Sequence, residues 1–307
     1  MKYWLSVMGS CFRLTVHGWP LTANRYMIAP MSPSYDQIQE TVRYIRERSD
    51  FAPGVGIVLG SGLGPLADEI ETVASFPYAE LPHFPRSTAP GHEGRLILGR
   101  LEGRNVLAYK GRVHCYEGYT PAQAAFPQRV GVFLGAKTFF ITSAAGGLNT
   151  GWNAGELMLH SDYINYAGLS PLTGPNDERL GPRFPVTFDA YDPELRQLAH
   201  KVARSQDFTL RDGVYAWWPG PQFASRAELK VLRTIGADAI GMSTVPEVIA
   251  LRHLGARVLG LSSITDMAVP ERGHHATEQE VLEVAARSGA QFRRFVRGIL
   301  QAMSDER

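Results

Sequence analysis

Several short, continuously apolar segments, each set between stretches of helical periodicity, narrow the fold of this chain more than any other feature. Residues 54–60 form a β-branched run with no polar interruption, the pattern of a strand buried on both faces. Residues 137–142 and 257–264 repeat it, and residues 95–101 and 105–109 predict two more strands around a Glu102-Gly103-Arg104 turn. Ser34 or Asp36 can cap a helix in which Ile38, Val42 and Ile45 recur at helical spacing. A second helix is expected over residues 122–134, after Pro121. A third starts at Asp192-Pro193, with Leu195, Leu198, Ala199 and Val202 as its apolar stripe. Residues 239–242, 245–254 and 257–264 predict a βαβ unit. Thr277-Glu278-Gln279-Glu280 is a capping box opening a last helix striped by Val281, Val284, Phe292, Phe295 and Ile299. Strands separated by helices predict one α/β domain with a mostly parallel sheet covered on both faces. Ligands of such sheets sit beyond the carboxyl ends of the strands. Chemistry is therefore expected in the loops after Leu59, Tyr109, Thr142, Met242 and Ile264.

Composition removes several classes of function. The 31 basic residues against 30 acidic ones leave a formal charge of +1, no footprint for nucleic acid or an anionic membrane. No apolar run approaches the ~20 residues of a membrane span. Cys11 and Cys115 are the only two cysteines among 307 residues, which excludes a disulfide framework and a Cys-rich zinc site and points to a reducing cytoplasm. Residues 1–33 are expected to be an irregular extension ahead of a domain over 34–307. Ser6, Gly9, Ser10 and Arg13 break the apolar run that a signal peptide would need.

The loops concentrate Gly, Ser, His and Arg. Gly60-Ser61-Gly62-Leu63-Gly64 lacks the last glycine of a dinucleotide fingerprint and the spacing of a P-loop. It fits a phosphate loop or a tight structural turn. His92 lies between Gly91 and Gly94 in a polar loop. After a strand, Arg112, His114 and Tyr116 alternate, so an extended segment would turn a guanidinium, an imidazole and a phenol to one side, suited to an oxyanion. Ser143-Ala144-Ala145-Gly146-Gly147 predicts a small-residue turn with backbone N–H groups open to a ligand. No helical His pair has metal-binding spacing, adjacent His274-His275 is a poor chelating pair, and no G-x-S-x-G elbow is present. These features point to an anion-binding α/β enzyme, without naming its substrate.

Six ordered motifs resemble the trimeric, low-molecular-mass purine nucleoside phosphorylases. They are residues 60–64, 84–94, 111–119 and 144–149, then Gly174-Pro175-Asn176-Asp177-Glu178-Arg179 and Gly241-Met242-Ser243-Thr244-Val245-Pro246-Glu247. The resemblance implies a twisted mixed sheet partly closed into a barrel and flanked by helices. It implies reversible cleavage of a purine nucleoside by inorganic phosphate, to free base and ribose 1-phosphate, with no metal or organic cofactor. Carried over by position, Ser61, His92, Arg112, His114, Ser243 and the N–H of Ala144 would surround phosphate. Tyr116 and Met242 would lie against ribose, and Phe223 and Ile240 would line the base pocket. Phe184 resembles the aromatic that reaches the neighbouring subunit's site in a homotrimer.

The chain departs from that family at the base. Ala224 stands where a base-reading Glu is expected and Asp266, after Thr265, where an Asn is expected. The run 220–228 and the Thr265-Asp266 pair look like the related methylthioadenosine phosphorylases. Ala224 cannot accept from purine N1–H, whereas Asp266 can accept from a 6-amino group or, protonated, donate to N7. The reading is thus a phosphorylase leaning to adenosine, with His114 and Asp266 as catalytic residues. The alternatives are a 6-oxopurine or S-methyl-5′-thioadenosine phosphorylase and, in a different class, a non-catalytic nucleoside-binding protein. The place of the family's 5′-hydroxyl His is open between Glu278, which a gapped alignment puts there, and His274 or His275 in the same loop.

Overall fold

In the computed structural model, residues 33–89, 92–271 and 276–303 are described below; all belong to one compact unit spanning residues 32–307. The expected N-terminal extension, apart from Pro33, and both His274 and His275 lie outside the described residues.

Helix α1 (Tyr35–Arg46) starts at Ser34, whose Oγ accepts from the Gln37 N–H while the Gln37 side chain accepts from the Ser34 N–H. Strands β1 (Val55–Val58), β2 (Glu71–Pro77), β3 (Arg95–Leu101) and β4 (Arg104–Lys110) follow. Where one helix was expected over 122–134, two form: α2 (Pro121–Ala124) and α3 (Phe126–Leu134). The break at Ala125 is imposed by Pro127, which has no N–H for the carbonyl four residues back and whose ring crowds it. Strand β5 (Thr138–Gly147) continues through the small-residue segment expected to turn.

Beyond it come β6 (Leu157–Ile164), α4 (Pro193–Ser205), β7 (Leu210–Trp217), α5 (Arg226–Thr234), β8 (Ala239–Gly241), α6 (Val245–His253), β9 (Arg257–Met267) and α7 (Glu278–Ala302). The Asp192 cap of α4 and the Thr277 capping box of α7 form as predicted. Strands β2, β6, β7 and helix α5 were not anticipated.

The nine strands run in the order β2-β3-β4-β1-β5-β8-β7-β6-β9, and β9 returns to pair with β5. Strands β5, β8, β7, β6 and β9 thereby close into a ring, and β2, β3, β4 and β1 extend from it as an open wing. The result is a single α/β domain whose twisted mixed sheet closes partly into a barrel flanked by helices.

The expected βαβ unit does not form: β8 is antiparallel to β5, while β9 is parallel to it. Periodicity carries no strand direction, and three-residue β8 bridges the end of β5 to β7 instead of entering the sheet beside β9. The apolar runs behave as two-sided strands. Val106 and Ala108 face one core with α4 and α7, while Leu107 and Tyr109 face a second with α1, α3 and α6.

Candidate active site

A cavity opens where β1, β4, β5, β8 and β9 end, and each of the five loops singled out in the sequence contributes to it. Gly60 and Ser61 follow β1. A Cβ at Gly60 would sit 2.5 Å from the Thr142 carbonyl oxygen, so only glycine lets this turn press against β5. The Gly60 N–H donates to Thr142 Oγ1, which donates to the Val58 carbonyl.

Arg112, just past β4, is 4% exposed. Its Nε donates to Glu247 Oε1 at 3.1 Å and its Nη1 to Ser243 Oγ at 3.1 Å. Nη2 lies 3.0 Å from Glu247 Oε2 but out of hydrogen-bond alignment, so that contact is one of charge. Gln128 Nε2 and the Thr244 N–H also donate to Glu247. Burying an ion pair is costly unless its remaining lone pairs are used, and these two donors use them.

The turn supplying Ser243 is built on Thr244, whose φ of 72° is unfavourable for a β-branched residue. Glu247, three residues after Thr244, receives the Thr244 N–H as a helix cap and orients Arg112 with the same carboxylate.

The Arg112 N–H donates to His92 Nδ1 at 3.0 Å, leaving the imidazole proton on Nε2. Burial, with His114 and Arg112 adding, pulls His92 down to about 4, so it is neutral near pH 7. Glu117 Oε1 accepts from the His114 N–H at 2.7 Å and lies 2.9 Å from His114 Nδ1. Burial pushes Glu117 up, but hydrogen bonds from His114 and Thr88 outweigh it and hold the carboxyl at about 2. An ionised carboxylate only accepts, so His114 Nδ1 carries a proton.

The predicted extended alternation through Arg112, His114 and Tyr116 is therefore incomplete. Glu117 closes a 3₁₀ turn over Cys115–Glu117, and His114 stacks on Tyr116 with ring centroids 4.6 Å apart. All three still line the cavity, together with Ser61, His92, Ala144 and Ser243. This end presents hydroxyls, imidazoles, a guanidinium and the end of a strand, a cradle for an oxyanion.

The other end is mainly apolar. Phe223, Ala224, Ile240, Met242 and Thr265 line it with Asp266, as the sequence suggested, and Trp218, Leu229 and Ala268 join them. A Cβ at Gly146 would stand 3.2 Å from an Asp266 carboxylate oxygen, so the bare backbone of β5 makes room for that side chain. Burial, with the charges of Glu117 and Glu278 adding, raises Tyr116 to about 12. Glu278 is exposed and does not line the cavity; Val281, on the same helix, does. Phe184 is 84% exposed and lies off the cavity lining.

Glu117 and Glu247 were not singled out from the sequence, although His114-x-x-Glu117 and Thr244-x-x-Glu247 both have capping-box spacing. Trp218 and Leu229 gave no local signal. Among the described residues, no three His, Cys, Asp or Glu side chains group as a metal site, and no helix is long and apolar enough to cross a membrane.

An oxyanion cradle beside an apolar recess, at the strand ends of a partly closed mixed sheet, is the arrangement of an α/β enzyme that can hold an anion next to a small organic group. Residues 55–301 match the family model of the phosphorylase superfamily. The chain is 45% identical over 267 residues to purine nucleoside phosphorylase 1 of Geobacillus stearothermophilus, covering 87% of this chain and 97% of that one. Purine nucleoside phosphorylase of Schistosoma mansoni in complex with adenosine superposes with a TM-score of 0.85 at 36% identity, covering 90% of this chain and all of that one. Purine nucleoside phosphorylase of Schistosoma mansoni in complex with inosine gives 0.85 at 35%, covering 90% and 99%. The chain belongs to the purine nucleoside phosphorylases, pentosyltransferases that exchange a purine base for phosphate on ribose.

Proposed function

We propose that this enzyme prefers 6-aminopurine nucleosides, adenosine foremost, and works without metal or organic cofactor, inorganic phosphate being its co-substrate. Ser61, Arg112, His114, Ser243, the His92 Nε2–H and the Ala144 N–H hold the phosphate. Tyr116 and Met242 lie along the ribose. As the bond from C1′ to the purine breaks and that from C1′ to phosphate oxygen forms, positive charge grows on the sugar and negative charge on the base. The phosphate dianion stabilises the first. A protonated Asp266 serves the second by donating to N7, and its carboxyl oxygen recognises the base by accepting from the 6-amino group. Excluding water from the cavity during the reaction favours phosphate as nucleophile.

The observation that carries the base preference is the pairing of Asp266 with Ala224 at one end of the cavity. A 6-oxopurine would set O6 against a carboxylate and leave its N1–H facing a methyl group. Mismatched buried polar groups cost about 1–3 kcal/mol each, so two shift the preference by roughly two to four powers of ten. The test is kcat/KM for adenosine, inosine and guanosine with and without phosphate. Adenosine is expected to lead; inosine equalling it overturns the preference. Val281, an apolar side chain brought to the cavity by α7, supports a second reading, S-methyl-5′-thioadenosine, which belongs in the same panel.

Phe184, Val186 and Phe188 are 84%, 75% and 84% exposed within one loop. Such apolar exposure supports a homotrimer in which Phe184 completes the neighbouring site. Sedimentation equilibrium at three times the chain mass is the expected outcome. The cysteine count supports a cytoplasmic location.

A further inference from the structure

Beneath the phosphate end lies a buried polar chain that the reaction above does not use. His160, on β6, is fully buried. Its Nδ1 is 2.9 Å from the Tyr191 hydroxyl and its Nε2 is 2.7 Å from Ser262 Oγ. Ser262 Oγ is in turn 2.7 Å from Ser143 Oγ, and Ser143 lines the cavity beside Ala144. The imidazole also stacks on Tyr215, with centroids 4.9 Å apart, and the Tyr215 hydroxyl accepts from the Ser243 N–H. His160 thus reaches two walls of the site, by its edge through Ser262 and by its face through Tyr215.

The direction of the chain follows from counting protons. Burial, with Arg112 adding, pulls His160 down to about 3, so the ring is neutral and carries one N–H. Tyr191, His160, Ser262 and Ser143 then hold four protons for three hydrogen bonds, and one proton is left over. Were it left on Tyr191 or on Ser262, neither of which lines the cavity, a buried hydroxyl would have an unpaired donor and no ligand to meet, the costlier arrangement. Tyr191 therefore donates to Nδ1, Nε2–H donates to Ser262, and Ser262 donates to Ser143. The remaining proton is that of the Ser143 hydroxyl, on a residue that is 2% exposed and lines the cavity.

We propose that His160 is a positioning residue that, through Ser262, turns the Ser143 hydroxyl into a donor for the oxyanion of the phosphate or of ribose 1-phosphate. The proposal rests on the phosphorylase reading of the cavity and adds a donor to it. The step is one of orientation; no bond is made or broken within the chain.

The test is a double-mutant cycle read in both Michaelis constants. Ser143→Ala is expected to raise the KM for phosphate about tenfold, the worth of one hydrogen bond to a charged group, with the nucleoside KM unchanged. His160→Phe should do the same, His160→Gln should recover most of the loss, and His160→Phe with Ser143→Ala should be no worse than either alone. Should His160→Phe fail to fold, Tyr191→Phe, which removes only the donor at the head of the chain, should still raise the phosphate KM in a Ser143-dependent way. Phosphate affinity by calorimetry gives the same readout without turnover. An unchanged phosphate KM in Ser143→Ala overturns the proposal, as do additive losses in the double variant. Wild-type protein releasing no base with phosphate would instead overturn the phosphorylase reading.

Discussion

At the proposed phosphate end of the cavity the polar side chains are held by protein partners: Arg112 by Glu247 and Ser243, His114 by Glu117, His92 by the backbone of Arg112. At the base end Trp218, Ala224, Leu229 and Ala268 belong to an apolar cluster, and Phe223 is half exposed. The first end is preorganised by charge, and each group there is part of the support of the next. The second is shaped mainly by apolar packing, and its one carboxylate, Asp266, accepts from Thr265 Oγ1 at 3.4 Å. On the proposed assignment, preference for a base should change by substitution at Ala224 or Asp266, whereas recognition of phosphate should not change piecemeal.

The largest effect that could break this contrast lies at the charged end. Glu247→Ala should cost about 3–5 kcal/mol of stability by leaving the Arg112 guanidinium buried and uncompensated. A denaturant midpoint moved by less than ~1 kcal/mol would mean that the pair does not hold this end together. At the base end, Asp266→Asn should move the ratio of inosine to adenosine kcat/KM upward by roughly a hundredfold. Its stability should stay within ~1 kcal/mol of the parent. A large loss of stability there would erase the distinction between the two ends.

Acid should act at the phosphate end as well. His92 titrates at about 4 in the fold against 6.5 ordinarily, and His160 at about 3. On acidification the unfolded chain takes up these protons first. Their contribution to stability is complete above about pH 6.5 and drains as pH falls through 4 toward 3. The melting temperature should fall over that range, and His92→Gln should flatten the part of the slope above pH 4. An unaltered slope in that variant would remove His92 from the account. The smallest effect is expected at Phe184→Ala: the melting temperature of the dissociated protomer should hold, because the ring is 84% exposed, within about 0.5 kcal/mol. Nucleoside KM should rise in the assembled protein. A protomer melting markedly lower would show that Phe184 packs within its own chain.

Much of the cavity was legible before the fold because its residues sit just after apolar runs. Ser61 follows 54–60, Arg112 follows 105–109, and Asp266 follows 257–264. Such runs mark strands, and strand ends mark sites in α/β sheets. The two carboxylates that support the site escaped notice because capping-box spacing also marks ordinary helix starts, and only contact with His114 or Arg112 separates the cases. Strand β7 escaped because polar Arg211 and Asp212 interrupt its apolar pattern.

Local chemistry along the chain determined the strands buried on both faces, the capped helices, the glycine turn at Gly60 and the residue types gathered at the phosphate end. These follow from periodicity, backbone sterics and charge, each acting over a few residues. Only the tertiary structure decided that β8 opposes β5, that α2 and α3 part at Ala125, and that Glu247 meets Arg112 across 135 positions. The same holds for His160, Ser262 and Ser143, which lie on three strands. Strand direction and long-range polar pairing are set by which buried groups must satisfy one another once water is gone. That requirement arises only when the sheet closes and brings distant segments together.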